Sequence, residues 1–296
     1  LAAKMFGLHA DEIAVGNGAS EIIQAYTRLL SGKIGFVYPT FEEYPNRIEN
    51  ERRVIFQPSA ENGFRYGAKH LISFFTKNPV ANLIIVNPDN PSGNFMALKD
   101  LEKLCAWCEK KGVRLLIDES FADFADKPYA LLSRDFLAKY PCLSVIKSIS
   151  KSYGVPGLRL GVFASTLTDV VDLVKKNLSI WNINSFGEFF LQIIEKYLDE
   201  YRVGCAKLAA ERNRNICELK QFKYLTVYPS AANYILCRVD QPHNSHELTI
   251  RLWKSAKILI KDCSGKKGFD GENYIRLAVK STEDNNALIA ALKDIK

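Results

Sequence analysis

No apolar stretch in this 296-residue chain is long enough to cross a bilayer, since runs such as NLIIVNP and VRLLIDE stop after a few residues. The opening LAAKMFGLHADE lacks the basic, apolar and small-residue regions of a secretory leader, so a cytoplasmic protein is expected. Seven cysteines, an odd number scattered among apolar residues, make no disulfide framework and fit a reducing compartment. The net charge is +7, yet Lys and Arg are mixed with Asp and Glu along the whole chain. Without a basic block or a basic-aromatic stripe, nucleic acid is not the expected partner. An anionic small molecule suits that balance better. Histidines number four, and the pair in HNSH, His243 and His246, has no carboxylate or thiol companion in its loop, so no metal is expected. CAWC, with Cys105 and Cys108, lies in the helix-like LKDLEKLCAWCEKKG and lacks a second pair, which reads as core packing. Internal repeats and low-complexity segments are absent.

What is present is a succession of short runs rich in Val, Ile and Leu: KIGFVYP, RRVIFQP, NLIIVNP, VRLLIDE, CLSVIKS and LRLGVFA. Amphipathic helix patterns, such as residues 20–31 and 98–111, lie between several of them. Strands that are apolar on both faces and alternate with helices predict an α/β domain, with a mostly parallel mixed sheet sandwiched by helices. The first nine residues read as a helix end running into a strand. A helical pattern over 186–219, with an interruption near Gly204, separates this part from a smaller α+β domain. The expected boundaries are 10–185 for the large domain, 186–218 for the long interdomain helix and 219–296 for the small domain.

In open α/β sheets, ligands collect at the carboxyl ends of the strands. Four of the runs end in unusual polar sequence: VYPTFEEY, VNPDNPSG, IDESFADF and IKSISKSYG. Just past the glycines of AVGNGASEII, residues Ala19, Ser20 and Glu21 open a helix whose free N–H groups suit a phosphate, although a plain capped helix start reads equally well. This stretch has no third glycine and so does not match a dinucleotide fingerprint. Asp118 ends a buried run, where a carboxylate needs either a cationic ring nitrogen or a turn to cap. Asn90 has an amide donor for a phenolate oxygen, or simply closes a proline-rich turn. Phe41 can lie on a ring face or in the core. Lys151 sits among Ser148, Ser150 and Arg159 in SISKSYGVPGLRLG, and a neighbouring cation together with desolvation would lower the pKa of its amine, which is what a Schiff base needs. Arg159 and the two serines would then hold a phosphate.

GNGAS, NPDNPSG, DESF and SISKSYGVPGLRLG, in that order and spacing, resemble the class I/II aminotransferases of fold type I, which use pyridoxal 5'-phosphate. The resemblance runs from about residue 10 to the C-terminus. LTVYPSAANYILCRV and ILIKDCSGKKGFDGENYIRLAVKS are similar to the histidinol-phosphate aminotransferases and threonine-phosphate decarboxylases of that family. The resemblance implies Lys151 as the Schiff-base lysine and proton shuttle and Asp118 as partner of the pyridine nitrogen. It also implies Asn90 as donor to the ring oxygen, Phe41 stacked on the ring, and Gly18, Ala19, Ser20, Ser148, Ser150 and Arg159 around the phosphate. Arg276 would clamp a substrate carboxylate. Phe121 stands where many relatives have a tyrosine, which leaves Asn90 alone beside the ring oxygen. The relatives' N-terminal arm is not evident before Leu1. The implied activity is transamination between an amino acid and a keto acid or aldehyde, on a substrate carrying phosphate or phosphonate. Decarboxylation of a phosphorylated amino acid is the first alternative and a non-catalytic cofactor-binding module the second. A homodimer is implied as well. The chain further resembles aminotransferase modules fused behind a nucleotidyltransferase domain. IWNINS, 180–185, is expected to border the pocket.

Overall fold

The computed structural model describes every residue except Asp270, Glu272 and Lys296, so three positions of the expected small domain lie outside the described residues. Seven strands form the larger sheet: β1 (Ile13–Asn17), β2 (Ile34–Val37), β3 (Arg53–Phe56), β4 (Asn82–Val86), β5 (Arg114–Asp118), β6 (Leu143–Lys147) and β7 (Leu160–Ser165). Their order is β1-β7-β6-β5-β4-β2-β3. Strand β7 runs antiparallel to both neighbours, and the other pairings are parallel. The sheet is therefore mixed and mostly parallel, as the apolar runs predict, and all six runs coincide with strands.

Successive residues of a strand face opposite sides, so a strand buried on both faces feeds two cores. In β4, Leu83 and Ile85 enter one core while Ile84 and Val86 enter the other. The first core takes Leu71 and Phe75 from the helix Ala68–Lys77, and Leu104, Cys105 and Cys108 from the helix Leu98–Lys111. Cys105 and Cys108 are fully buried there, and burial pushes both thiols up, which leaves them apolar and inert. The second core takes Ile22, Ile23 and Tyr26 from the helix Ala19–Thr27, and Val170, Val171 and Val174 from the helix Thr168–Lys176.

The smaller sheet is antiparallel throughout: β8 (Leu225–Val227), β9 (Tyr234–Val239), β10 (Lys261–Asp262) and β11 (Tyr274–Ala278), in the order β10-β11-β9-β8. One of its faces packs on the helices Ser245–Ala256 and Thr282–Lys293. Within AKILIKDC, Lys261 and Asp262 pair with β11. The break in the long helical pattern falls elsewhere than expected. A 3₁₀ turn, Ile194–Tyr197, separates the helix Ser185–Ile193 from Leu198–Leu219, and Gly204 sits inside the latter. Gly204 has open space around it and costs this helix only about 1 kcal/mol relative to alanine, too little to break 22 residues of helix.

Arg212 joins the two sheets. Its side chain on the helix Leu198–Leu219 is fully buried, and its guanidinium donates to the Phe124 carbonyl, the Ala232 carbonyl and Asp126 Oδ1. Removing a buried charge that satisfies several acceptors strands them in a dry interior. Arg212→Met is expected to lower unfolding stability by about 3–5 kcal/mol, with Arg212→Lys between the two. Urea denaturation checks this, and a change of less than about 1 kcal/mol contradicts it.

Candidate active site

The parallel register sets Val86 opposite Asp118 and Asp118 opposite Ile146. Strands β4, β5 and β6 therefore end at one level, and the segments that follow them meet there. A cavity of about 940 Å³ opens at this edge, lined by Phe41, Asn90, Phe121, Ser150 and Lys151 from the larger sheet and by Arg276 from the smaller one.

Asp118, the last residue of β5, is 4% exposed. Its Oδ1 accepts from the Ser120 amide at 2.9 Å and its Oδ2 from the Tyr44 hydroxyl at 2.8 Å. Tyr44 is fully buried, and burial followed by the Asp118 charge pushes its hydroxyl well above the usual range, so it stays a donor. The turn-capping role of Asp118 thus coexists with spare lone pairs on both oxygens. Asn90 Oδ1 accepts from the Arg276 guanidinium at 2.6 Å, an arrangement that leaves the Asn90 amide N–H₂ as donor. Arg276 lies 4.9 Å above the Tyr234 ring and forms no ion pair with a described residue.

Lys151 reaches the cavity from the short helix Ile149–Ser152, with its Nζ 4.8 Å from the Phe41 ring centroid and 5.0 Å from that of Phe121. The side chain is open to the cavity, but the walls strip much of its hydration. That desolvation lowers its pKa; Asp118 opposes the effect, while Arg276 and then Arg159 reinforce it. The sequence names Arg159 as the neighbouring cation, and the structure adds Arg276 as the stronger one.

Arg159 stands over the start of the helix Ala19–Thr27, donating to Ser20 Oγ at 3.3 Å. A β-carbon on Gly18, whose φ is 77°, would come within 2.4 Å of that guanidinium, and one on Gly161 within 2.4 Å of the Ala19 amide. A cation at the positive end of a helix is unfavourable unless an anion sits between them. Ser148 is buried, and its amide donates to Ser120 Oγ. Ser150 differs from expectation: its hydroxyl accepts from the Leu160 amide at 2.7 Å and donates to the Leu160 carbonyl at 3.3 Å, so it staples the lysine helix to β7. IWNINS also lies elsewhere than expected. Asn182 donates to the Val15 carbonyl and Asn184 to the Leu158 carbonyl, which pins the segment against the outer strands and leaves Trp181 96% exposed and away from the cavity.

The family model "Aminotransferase class I and II" matches residues 1–292. The chain belongs to that family. Pyridoxal 5'-phosphate is the cofactor of these enzymes. Similar proteins include the CMP-5'-(3-aminopropyl)phosphonate synthase of Streptomyces rubellomurinus, 32% identical over 100% of this chain and 46% of the relative. An L-serine phosphate decarboxylase of Campylobacter jejuni is 31% identical over 99% of this chain and 76% of the relative. The chain thus spans about half the length of the first and three quarters of the second. A solved decarboxylase of Sulfurospirillum multivorans superposes with a TM-score of 0.91 at 27% identity, covering 99% of this chain and 84% of that one. Histidinol-phosphate aminotransferases and threonine-phosphate decarboxylases are among the relatives, the subgroup that the sequence resembles.

The residues of this aminotransferase-family chain fit the cofactor. Arg159 and the Ala19–Thr27 helix start leave an anion's place between them, Asp118 keeps lone pairs for a ring nitrogen, and Lys151 is an amine with a lowered pKa beside both. Sequence reading missed Tyr44, although it closes the quoted VYPTFEEY, because nothing local announces that it reaches Asp118, 74 residues away. It also missed Tyr234, whose hydroxyl donates to the Asp89 carbonyl across the two sheets at 2.8 Å, and Asp89 itself.

Asp89 is 2% exposed, and its Oδ1 has no hydrogen-bond partner. Burial raises its pKa to about 7, against weaker help from Ser92, Lys266 and the Asn90 amide. The folded chain therefore holds this proton more tightly than the unfolded one, so stability falls as pH rises from about 4 to about 7 and then levels off. Asp89→Asn is expected to leave stability near pH 4 unchanged and to raise it at pH 8 by on the order of 2–4 kcal/mol. Denaturant titrations at both pH values check this; equal curves at pH 8 contradict it.

Proposed function

We propose that this chain binds pyridoxal phosphate at Lys151 and acts on an α-amino acid bearing a distal phosphate or phosphonate, releasing its α-carboxylate as carbon dioxide. The observation that carries the reading is Arg276, a guanidinium held by the neutral Asn90, without an acid partner among the described residues and in the same cavity as Lys151. It is an open, two-pronged receptor for a carboxylate. The decarboxylase and phosphonate synthase names of the relatives support the substrate class and this outcome.

When bound, the cofactor supplies covalent capture of the substrate amine and a ring that accepts the electron pair left when a bond at Cα breaks. Asp118, steadied by Tyr44 and the Ser120 amide, offers its carboxylate to the ring nitrogen. Arg159, Ser20 and the amides at the start of the helix Ala19–Thr27 take the phosphate. Phe41 and Phe121 flank Lys151, whose amine holds and delivers the proton at Cα.

Transamination is the second reading, supported by the histidinol-phosphate aminotransferases among the relatives. With O-phospho-L-serine, carbon dioxide and a primary amine are the expected products of the pyridoxal phosphate-loaded protein. Keto acid formation would instead establish transamination, and cofactor binding without any product would leave a non-catalytic module. Borohydride reduction followed by peptide mass analysis is expected to place the cofactor on Lys151, and Lys151→Ala is expected to abolish both label and turnover.

We also propose a homodimer. Trp181 is 96% exposed, Ile180 85% and Phe186 76%, and Phe189, one helical turn after Phe186, is exposed on the same side. A second copy covering this face accounts for so much apolar surface left in water. Trp181→Asp is expected to shift the mass measured by light scattering from dimer to monomer; a dimer that persists contradicts this assignment of the face.

A further inference from the structure

We propose that Lys266 is the residue that selects substrates with a distal phosphate or phosphonate, and that Glu42 is an anionic placeholder which such a group displaces. The inference rests on the reading of the site given above and names the part of the chain that recognises the far end of the substrate.

Lys266 lines the same cavity as Lys151 and Arg276, but from the loop between β10 and β11. Several of the described residues of that loop are tied in place. The Lys266 amide donates to the Cys263 carbonyl, and Phe269 is buried with its ring stacked on Tyr274 at 4.1 Å. Gly268 lies so close to the segment after β2 that a β-carbon there would come within 2.7 Å of Pro39 N, and Gln57 Nε2 donates to the Gly268 carbonyl at 3.2 Å. The ammonium is thus aimed by a braced loop rather than carried on a loose one.

Its one ion-pair partner among the described residues is Glu42, on the opposite wall, at 3.0 Å, with the two side chains 18% and 37% exposed. A single pair this open to water contributes only about 0–1 kcal/mol. Stability is therefore a weak reason for placing both charges in the mouth of the cavity. The other carboxylates that line it are already engaged: Glu43 by Arg47, and Asp262 by Ser245 and the Ser264 amide. Among the described residues, Arg276 is engaged by an amide oxygen and the Tyr234 ring rather than by an acid. Three cations besides Lys151 line the cavity: Arg276 waits for its anion with a neutral partner, Lys266 already holds a carboxylate, and Lys261, on β10, is exposed.

That difference makes the second position selective. A substrate with a side-chain carboxylate would exchange one monoanion for another and gain little at Lys266. A phosphate or phosphonate near its dianionic form brings more charge than Glu42 and displaces it favourably. A neutral side chain leaves the Lys266–Glu42 pair as it is. Glu42 thus sets a threshold of charge, and Lys266 rewards whatever passes it.

The test measures binding and turnover separately in the pyridoxal phosphate-loaded chain, with O-phospho-L-serine, L-glutamate and L-serine as probes, binding being followed by the cofactor's absorbance and by calorimetry. Lys266→Met is expected to weaken O-phospho-L-serine binding and raise its KM about tenfold or more, with kcat and L-serine binding changed little and Lys266→Arg restoring most of the loss. Glu42→Gln is expected to strengthen L-glutamate binding more than O-phospho-L-serine binding, narrowing the preference between them. Unchanged O-phospho-L-serine affinity in Lys266→Met, in a variant that still loads cofactor at Lys151, overturns the role given to Lys266 while leaving the reading of the site intact. A wild-type chain that loads cofactor but prefers L-serine or L-glutamate to O-phospho-L-serine overturns the substrate class itself. Loss of kcat with KM unchanged would assign Lys266 to bracing the loop and would likewise overturn the proposal.

Discussion

The in-register parallel pairing of β4, β5 and β6 is the constraint on which the site depends. It brings the ends of three strands to one level, so that Asn90, Asp118 and Lys151 leave the sheet side by side although 61 residues separate the first from the last. A slip of one residue in β5 would turn Asp118 to the other face and put an apolar neighbour in its place. The slip is resisted by packing, because it would exchange the side chains that fill the two cores on either side of β4.

Around that edge the chain accumulates positive charge that it does not neutralise internally. Arg159 stands over a helix start, Arg276 is held by a neutral amide, and Lys151 is flanked by aromatic rings with no hydrogen-bonding acid among the described residues. Repulsion among these groups is unfavourable in the empty cavity and becomes useful when anions arrive. The same repulsion, together with desolvation, keeps the Lys151 amine easier to deprotonate than a surface lysine.

The smaller sheet meets the larger domain through an aromatic cluster of Phe64 with Tyr228, Phe269 and Tyr274, and completes the cavity through a few polar contacts. Tyr234 donates to the Asp89 carbonyl, Arg276 donates to Asn90, and Lys266 meets Glu42. Asp89 and Asn90, adjacent in NPDNPSG, thus take a contact from β9 and one from β11. A cluster of Phe121, Phe124, Cys205, Ala232 and Tyr234 and the buried Arg212 anchor this arrangement from behind.

Much of the architecture was legible in sequence, because period and composition report directly on burial. Six apolar runs mark six strands of the larger sheet, and residues from the polar sequence that follows four of them line the cavity. The motif around Lys151 was legible for the same reason: glycines, a lysine and an arginine at short spacing restrict the local chemistry. Ser150 lines the cavity but its hydroxyl is bonded to the Leu160 backbone, and IWNINS lies elsewhere than expected because Val15 and Leu158 hold it. Local sequence determined which strands, helices and chemistry-bearing turns this chain has, since those depend on residues close together. Only the tertiary structure decided that Tyr44 supports Asp118, that Arg276 outweighs Arg159 beside Lys151, and that Lys266 faces Glu42, since hydrogen bonds and charges act through space between segments whose separation along the chain carries no signal.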